Sequence, residues 1–176
     1  PLAAPSVIDS ETANRFEREA QAIASLRSPH TVNLFDFGIT DDGTFYYVME
    51  LLDGLDAEQI VKRFGPMPAE RVVHVVRQVC HSLSEAESIS LVHRDIKPAN
   101  IFLCRYGEDY DFVKVLDFGI VKAIYEPGSA EETPMLTSEH VVRGTPAFMA
   151  PEQALGGRSV DHRADIYSLG VVLYEM

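Results

Sequence analysis

The run His93-Arg94-Asp95-Ile96-Lys97-Pro98-Ala99-Asn100 carries the densest set of reactive groups in this 176-residue chain. Asp95 offers a carboxylate that can orient a hydroxyl and accept its proton, and Lys97 offers a point charge for a transferring phosphoryl group. Asn100 stands at the mouth of an apolar run, 101–104, and a second apolar run, 112–116, leads back to Asp117-Phe118-Gly119. In an antiparallel pair the start of one strand lies beside the end of the other, with opposed Cα atoms about 5 Å apart, which predicts Asn100 side by side with Asp117. Two oxygen ligands at one point suit Mg2+, which takes one or two protein oxygens and completes its octahedron with water and phosphate. Each residue alone reads equally as a solvated polar group on a loop. The four together, at these spacings, point to metal-assisted chemistry at a phosphate.

Such a loop has to be held by a framework, and the hydrophobic pattern supplies one. Ala13, Phe16, Ala20, Ile23 and Ala24 form a helical stripe, with Ser10 or Thr12 as its cap and Ser28-Pro29 as its stop. Residues 31–37 and 44–51 read as two strands around the hairpin signal Asp41-Asp42-Gly43. A short break at 52–55 precedes a brief helix over 56–63. After the turn Gly65-Pro66-Met67-Pro68, a helix begins with Pro68 at its first position and runs to about Ser88, marked by Val72, Val76, Val79, Leu83 and Ala86. An apolar strand over 89–92 then leads into the polar loop 93–100 and the strand pair 101–104 and 112–116, joined by the charged turn 105–111. Residues 126–140 are polar and aperiodic. The stretch 161–176 is helical and apolar nearly all round, the pattern of a buried helix. Strands and helices are segregated, which predicts an α+β architecture of two lobes joined near 51–54.

Composition narrows the function. With 46% hydrophobic and 24% charged residues the chain is an ordinary globular one. Fifteen basic against 27 acidic residues, a net charge of −12, oppose nucleic acid as the main partner. No apolar stretch is long enough for a membrane span, and residues 1–10 lack the pattern of a secretory signal. Cys80 and Cys104 lie in apolar surroundings without CxxC spacing and read as reduced core thiols of a cytoplasmic protein.

Taken in order, His93 to Asn100, Asp117-Phe118-Gly119 and Ala150-Pro151-Glu152 resemble the catalytic loop, the metal-binding motif and the end of the activation segment of eukaryotic-like protein kinases. The resemblance covers nearly the whole chain. Lys97, two positions after Asp95, and Gly144-Thr145-Pro146-Ala147-Phe148-Met149 ahead of Ala150 resemble the serine/threonine branch, and Gln153 resembles its bacterial members. The implied fold is α+β and two-lobed: 1–50 part of the N-lobe, 51–54 the hinge, and 55–176 part of the C-lobe, with the activation segment at 117–152. The implied activity is ATP- and Mg2+-dependent phosphorylation of Ser and Thr on a protein substrate.

The same resemblance implies roles residue by residue. Asp95 would be the catalytic base, Lys97 would contact the γ-phosphate, and Thr145 would hydrogen-bond within that loop and shape the acceptor groove. Asn100 and Asp117 would hold Mg2+. Glu19 would pair with the ATP-binding lysine, although a surface pair with Arg15 explains it equally from the sequence. Met49 would guard the back of the adenine pocket, the Glu50 carbonyl and Leu52 amide would meet the base, Phe102 would pack under it and Asp56 would reach the ribose. Ile23, Leu34, His93 and Phe118 match the apolar column that links the lobes, anchored by Asp165; ordinary core packing accounts for its apolar members as well. Arg94 would receive a phosphate placed on Thr137 or Ser138 of the activation segment.

A glycine-rich loop and the ATP-binding lysine, which the resemblance also requires, would fall at or before Pro1, and Val171 to Met176 stop inside an apolar segment. The expectation is therefore a piece of a catalytic domain, truncated at both ends, that alone transfers little phosphate. Two alternatives remain open at this stage: a pseudokinase acting as a scaffold, and a small-molecule phosphotransferase of related fold.

Overall fold

The computed structural model describes residues 10–41, 43–118, 146–155 and 160–176. Helix α1 (Ser10–Ala24) buries Phe16, Ala20 and Ile23, the stripe its sequence predicts. Ser10 and Thr12 lie inside this helix rather than ahead of it as caps. It also ends before Ser28-Pro29. The Ser25 amide is shared between Gln21 O and Ala22 O and the Ser25 hydroxyl donates to Ala22 O at 2.6 Å, tightening the last turn until it unwinds.

Strands β1 (Leu34–Ile39) and β2 (Phe45–Met49) form an antiparallel pair, Leu34 opposite Met49 and Ile39 opposite Phe45. The reversal uses Gly43 at φ 85°, a left-handed geometry that glycine adopts without cost. Phe16 fastens α1 to this pair, its ring 4.5 Å from that of Phe45 and 6.4 Å from that of Phe37. The first strand starts later than residue 31 because 30–32 are engaged elsewhere: Val115 N–H donates to His30 O and Val32 N–H to Val115 O. The connector between α1 and β1 is thus stitched to the other half of the molecule. Glu85 strengthens the seam, its carboxylate accepting from the Arg27 amide at 2.8 Å and the Ser28 amide at 2.6 Å. Thr31 and Ser82 hydroxyls meet at 2.7 Å beside it.

A second sheet runs β3-β4-β5, all antiparallel: β3 (Gly54–Asp56), β4 (Ile101–Tyr106) and β5 (Asp109–Val115). The sequence reads 52–55 as a break, but Gly54 begins a strand there. A Cβ at that position would come within 2.1 Å of Leu103 O, so only glycine permits so close a pairing. The β4–β5 turn is tighter than 105–111, since Tyr106 pairs with Asp109 across Gly107 at φ 62°.

Asp56 caps α2 (Ala57–Phe64) by accepting the Gln59 amide at 2.7 Å. Pro68 stands at the cap position of α3 (Ala69–Ser88), one residue earlier than expected. Helix α3 buries Val72, Val75, Val79 and Ala86 against the β3-β4-β5 sheet. Polar contacts fix its angle: Arg71 grips Asp111 with two hydrogen bonds of 2.7 and 2.8 Å, and the buried Gln78 amide spans Asp111 O and Val113 N–H. Cys104 is buried as expected, but Cys80 is exposed on the outer side of α3; both are free thiols.

Residues 89–92 do not form a strand. Ser90, at φ 60°, turns the chain back at the end of α3, and the Leu91 amide returns to Ala86 O. Beyond the short helix α4 (Pro151–Ala154), helix α5 (Arg163–Glu175) buries Ala164, Asp165, Ser168, Leu169 and Val172. Ile166, Tyr167, Leu173 and Tyr174 are exposed among the described residues, so α5 is buried along one face rather than all round. No helix among the described residues is long and apolar enough to cross a membrane.

Candidate active site

The loop 93–100 is held from below by one carboxylate. Asp165, buried in the first turn of α5, accepts the His93 amide through Oδ2 and the Arg94 amide through Oδ1, each at 2.8 Å. With its amides satisfied by a side chain, this stretch needs no strand partner. The His93 ring is fully enclosed and lies 4.5 Å from the Phe118 ring. Burial pushes the imidazole below its ordinary pKa, against the pull of Asp165. Its Nε2 contacts Leu116 O at 2.9 Å and can only donate there, which leaves a bare Nδ1 to accept the Asp95 amide at 3.3 Å. The neutral ring therefore joins the loop to the end of β5 and sets the backbone of Asp95.

The Asp95 carboxylate gathers the other loop groups. Lys97 Nζ donates to Oδ2 at 2.7 Å and Asn100 Nδ2 donates to the same oxygen at 3.1 Å and to Asp95 O at 2.9 Å. All three side chains are largely shielded, which strengthens these charged contacts. The turn Pro98–Asn100 shapes the bend, Asn100 N–H returning to Lys97 O.

Asn100 and Asp117 come to the same end of the β4–β5 hairpin, offset by one residue from the expected side-by-side pairing. Ile101 is opposite Val115 and Asn100 O accepts the Leu116 amide, so Asp117 lies one step beyond Asn100. Asp117 sits at φ 51° and its Oδ1 accepts the Tyr47 phenol at 2.9 Å. Burial first, and the Asp117 charge second, push that phenol up to about 12. The donor set suits a hard cation: an amide whose nitrogen is committed to Asp95, presenting Oδ1, and a carboxylate, with phosphate and water to complete the shell.

The remaining predicted residues are distributed around this centre. Glu19 lies half-buried on α1 between the buried Phe16 and Ile23. Ile23 and Phe118 share the core with Leu34 packed against them. Met49 ends β2, and the Glu50 amide donates to Asn33 O at 3.1 Å. Leu52 is half-buried in the extended crossing, while Leu51 is wholly exposed. Asp56 pairs across β3–β4 with Phe102, and its carboxylate is occupied in capping α2 through the amide and side chain of Gln59. Arg94 holds a left-handed φ of 65°. Thr145, Thr137 and Ser138 lie outside the described residues.

Three contacts have no precedent in the sequence reading: Tyr47 with Asp117, Lys114 with Glu50, and Gln153, whose amide donates to Arg94 O at 3.0 Å and accepts the Ala150 amide at 3.1 Å. Ser168 adds a bond of 2.7 Å to Phe148 O, so the stretch 148–153 is docked on both the loop and α5.

Residues 3–176 match the protein kinase domain family. The chain belongs to that family. This protein kinase domain is 44% identical over 168 residues to the serine/threonine-protein kinase pkn3 of Myxococcus xanthus, covering 96% of the chain and 30% of pkn3. It is 41% identical over 165 residues to the serine/threonine-protein kinase PknB of Mycobacterium leprae, covering 92% of the chain and 25% of PknB. Among solved structures, the PknI kinase domain of Mycobacterium tuberculosis superposes with a TM-score of 0.68 at 30% identity, over 94% of the chain and 57% of that structure. The two-lobed kinase architecture expected from the motifs is the one observed, while the chain spans less than a third of these full-length relatives.

Proposed function

We propose that this kinase domain serves ATP-dependent phosphorylation of Ser and Thr on protein substrates. The observation that carries the reading is the convergence on Asp95 Oδ2 of Lys97 Nζ and Asn100 Nδ2. One carboxylate is thereby joined to a cation for the transferring phosphoryl group and to an amide beside Asp117. Asp95 orients the acceptor hydroxyl and takes its proton as the oxygen attacks the γ-phosphorus of ATP, while the bond from that phosphorus to the bridging oxygen breaks and ADP leaves. Lys97 faces the charge of the transferring group, and its bond to Asp95 keeps both groups at one point. Asn100 and Asp117 are the residues that would hold Mg2+, which when bound neutralises phosphate charge. The segment 148–153 is tied to Arg94 and Ser168 beside the loop, and its resemblance to the peptide-docking end of the activation segment supports a protein rather than a small-molecule acceptor. On the adenine side, the backbone of Glu50 and Leu52 offers the carbonyl and amide for the base, with Met49 and Phe102 as apolar walls.

The test is phosphate transfer by the full-length protein from radiolabelled ATP to casein or myelin basic protein in Mg2+. Transfer to Ser and Thr that is lost in Asp95→Asn supports the reading. Nucleotide binding without any transfer in the intact protein would replace it with the scaffold alternative.

A further inference from the structure

Lys114 is a charged residue, next to last in β5, with only 3% of its side chain exposed, and the chemistry described above does not use it. A buried ammonium requires a partner, and the partner here belongs to a distant element. Lys114 Nζ lies 2.7 Å from Glu50 Oε1, immediately after β2. The same Glu50 oxygen accepts the Asn33 amide at 2.8 Å, and the Glu50 amide donates to Asn33 O at 3.1 Å. Lys114 Nζ also reaches Thr31 O at 3.5 Å and stands 6.0 Å from the ring centres of Tyr106 and Phe112. Three segments therefore close on one ammonium: the 30–33 connector, the strip following β2, and β5.

The strip itself has little else to hold it. Leu51 is fully exposed, and the next backbone anchor is Asp53 O, which accepts the Arg105 amide at 3.0 Å. A buried ion pair is a weak source of stability because desolvation offsets its attraction, but it permits only one geometry. We infer that Lys114 is a positioning residue for nucleotide recognition: through the Glu50 carboxylate it fixes the backbone of residues 50–52 in the orientation that meets adenine. The inference rests on the reading of that strip as the adenine-binding edge. It adds a residue that never touches the base yet sets the affinity for it.

The experiment uses the full-length protein, with adenosine binding by calorimetry and KM and kcat for Mg2+-ATP. Adenosine isolates recognition of the base from the phosphates and the metal. Lys114→Met is expected to weaken adenosine binding and raise the ATP KM by about tenfold, the scale of leaving one or two groups unordered before binding, with kcat falling less than KM rises. Lys114→Arg, which keeps the charge, restores most of the affinity. The double variant Lys114→Met/Glu50→Met replaces the pair by apolar side chains of similar length, a change that buried pairs tolerate. It is expected to fold with the same loss of adenosine affinity, and it decides the matter if Lys114→Met alone does not fold. Wild-type adenosine affinity in the folded double variant, a fall confined to kcat, or failure of the double variant to fold would each overturn the inference. If the wild-type protein binds neither adenosine nor ATP, the adenine reading itself fails and takes the inference with it.

Discussion

Tyr47 and Asp117, 70 positions apart, are joined by a hydrogen bond of 2.9 Å from the phenol to the carboxylate. The bond ties β2 to a residue two positions past the end of β5, and so ties one lobe to a proposed metal ligand in the other. Hydrogen-bonded partners of metal-binding carboxylates set ligand orientation, and their loss typically costs about 10–100-fold in metal affinity. Tyr47→Phe should accordingly raise the Mg2+ concentration for half-maximal phosphate transfer by about tenfold with the fold retained. An unchanged Mg2+ titration would dissociate the phenol from metal binding. The folded phenol titrates at about 12 rather than 10.0, so its contribution to stability is complete below about pH 10 and is lost as pH rises toward 12. Phenolate absorbance of Tyr47 should appear only at the top of that range.

Asp95→Asn keeps the shape of the loop and can still accept from Lys97, but it cannot take a proton. Phosphate transfer should fall by about 10²–10⁴, while ATP binding and thermal stability stay near those of the wild type. Retention of substantial transfer would remove Asp95 from the role of base.

Asp165 satisfies the amides of His93 and Arg94 from a site that is 3% exposed. Asp165→Ala leaves the buried His93 amide and the half-buried Arg94 amide without their acceptor, at a cost of about 3 kcal/mol. Urea unfolding should show that loss, and transfer should drop further than stability alone explains because the backbone of Asp95 is released. A variant as stable as the wild type would mean that the loop is held by other means.

Two histidines give the fold an acid sensitivity. Burial, the largest cause in both, lowers His93 and His30 below 6.5; Asp165 opposes it at His93, and the Val113 carbonyl opposes it at His30. Each folded-state pKa is depressed, so the unfolded chain binds more protons in this range. The contribution of each neutral ring is complete above about pH 6.5 and is lost as pH falls through the folded value. The melting temperature should decline between about pH 7 and pH 5, ahead of most carboxylate titration. The His93 ring signal in NMR should titrate below 6.5; a flat melting profile would show that these rings are charged or hydrated in the folded protein.

The loop from His93 to Asn100 and the hairpin after it were legible because local order carries them: polar residues at fixed spacing, then alternating apolar strands with a charged turn. The register was less accessible. Counting from Asn100 to Asp117 suggests direct opposition, but Leu116 takes the place across from Asn100. Residues 89–92 are as apolar as a strand, yet Ser90 at φ 60° turns them back and the amides of Ile89, Ser90 and Leu91 return to carbonyls at the end of α3 rather than to a neighbouring strand. Strand β3 is three residues long, too short for an alternation to register. Lys114 does carry a signal, a lysine within the otherwise apolar run 112–116, but its partner Glu50 is 64 residues away and nothing local names it. Tyr47 is likewise an ordinary strand aromatic until the fold brings Asp117 beside it.

The grip of Glu85 on the Arg27 and Ser28 amides has a mechanical consequence for α1. The connector just past its C-terminal end is pinned to α3, so any swing of the helix turns about that fulcrum and carries with it the β1–β2 pair on which Phe16 packs. Glu19 stands five residues up the shaft from Ala24, the last residue of α1, an arm of about 7.5 Å at 1.5 Å per residue. A tilt of about ten degrees would carry Glu19 through an arc of roughly 1 Å, enough to stretch a charged contact beyond hydrogen-bonding distance.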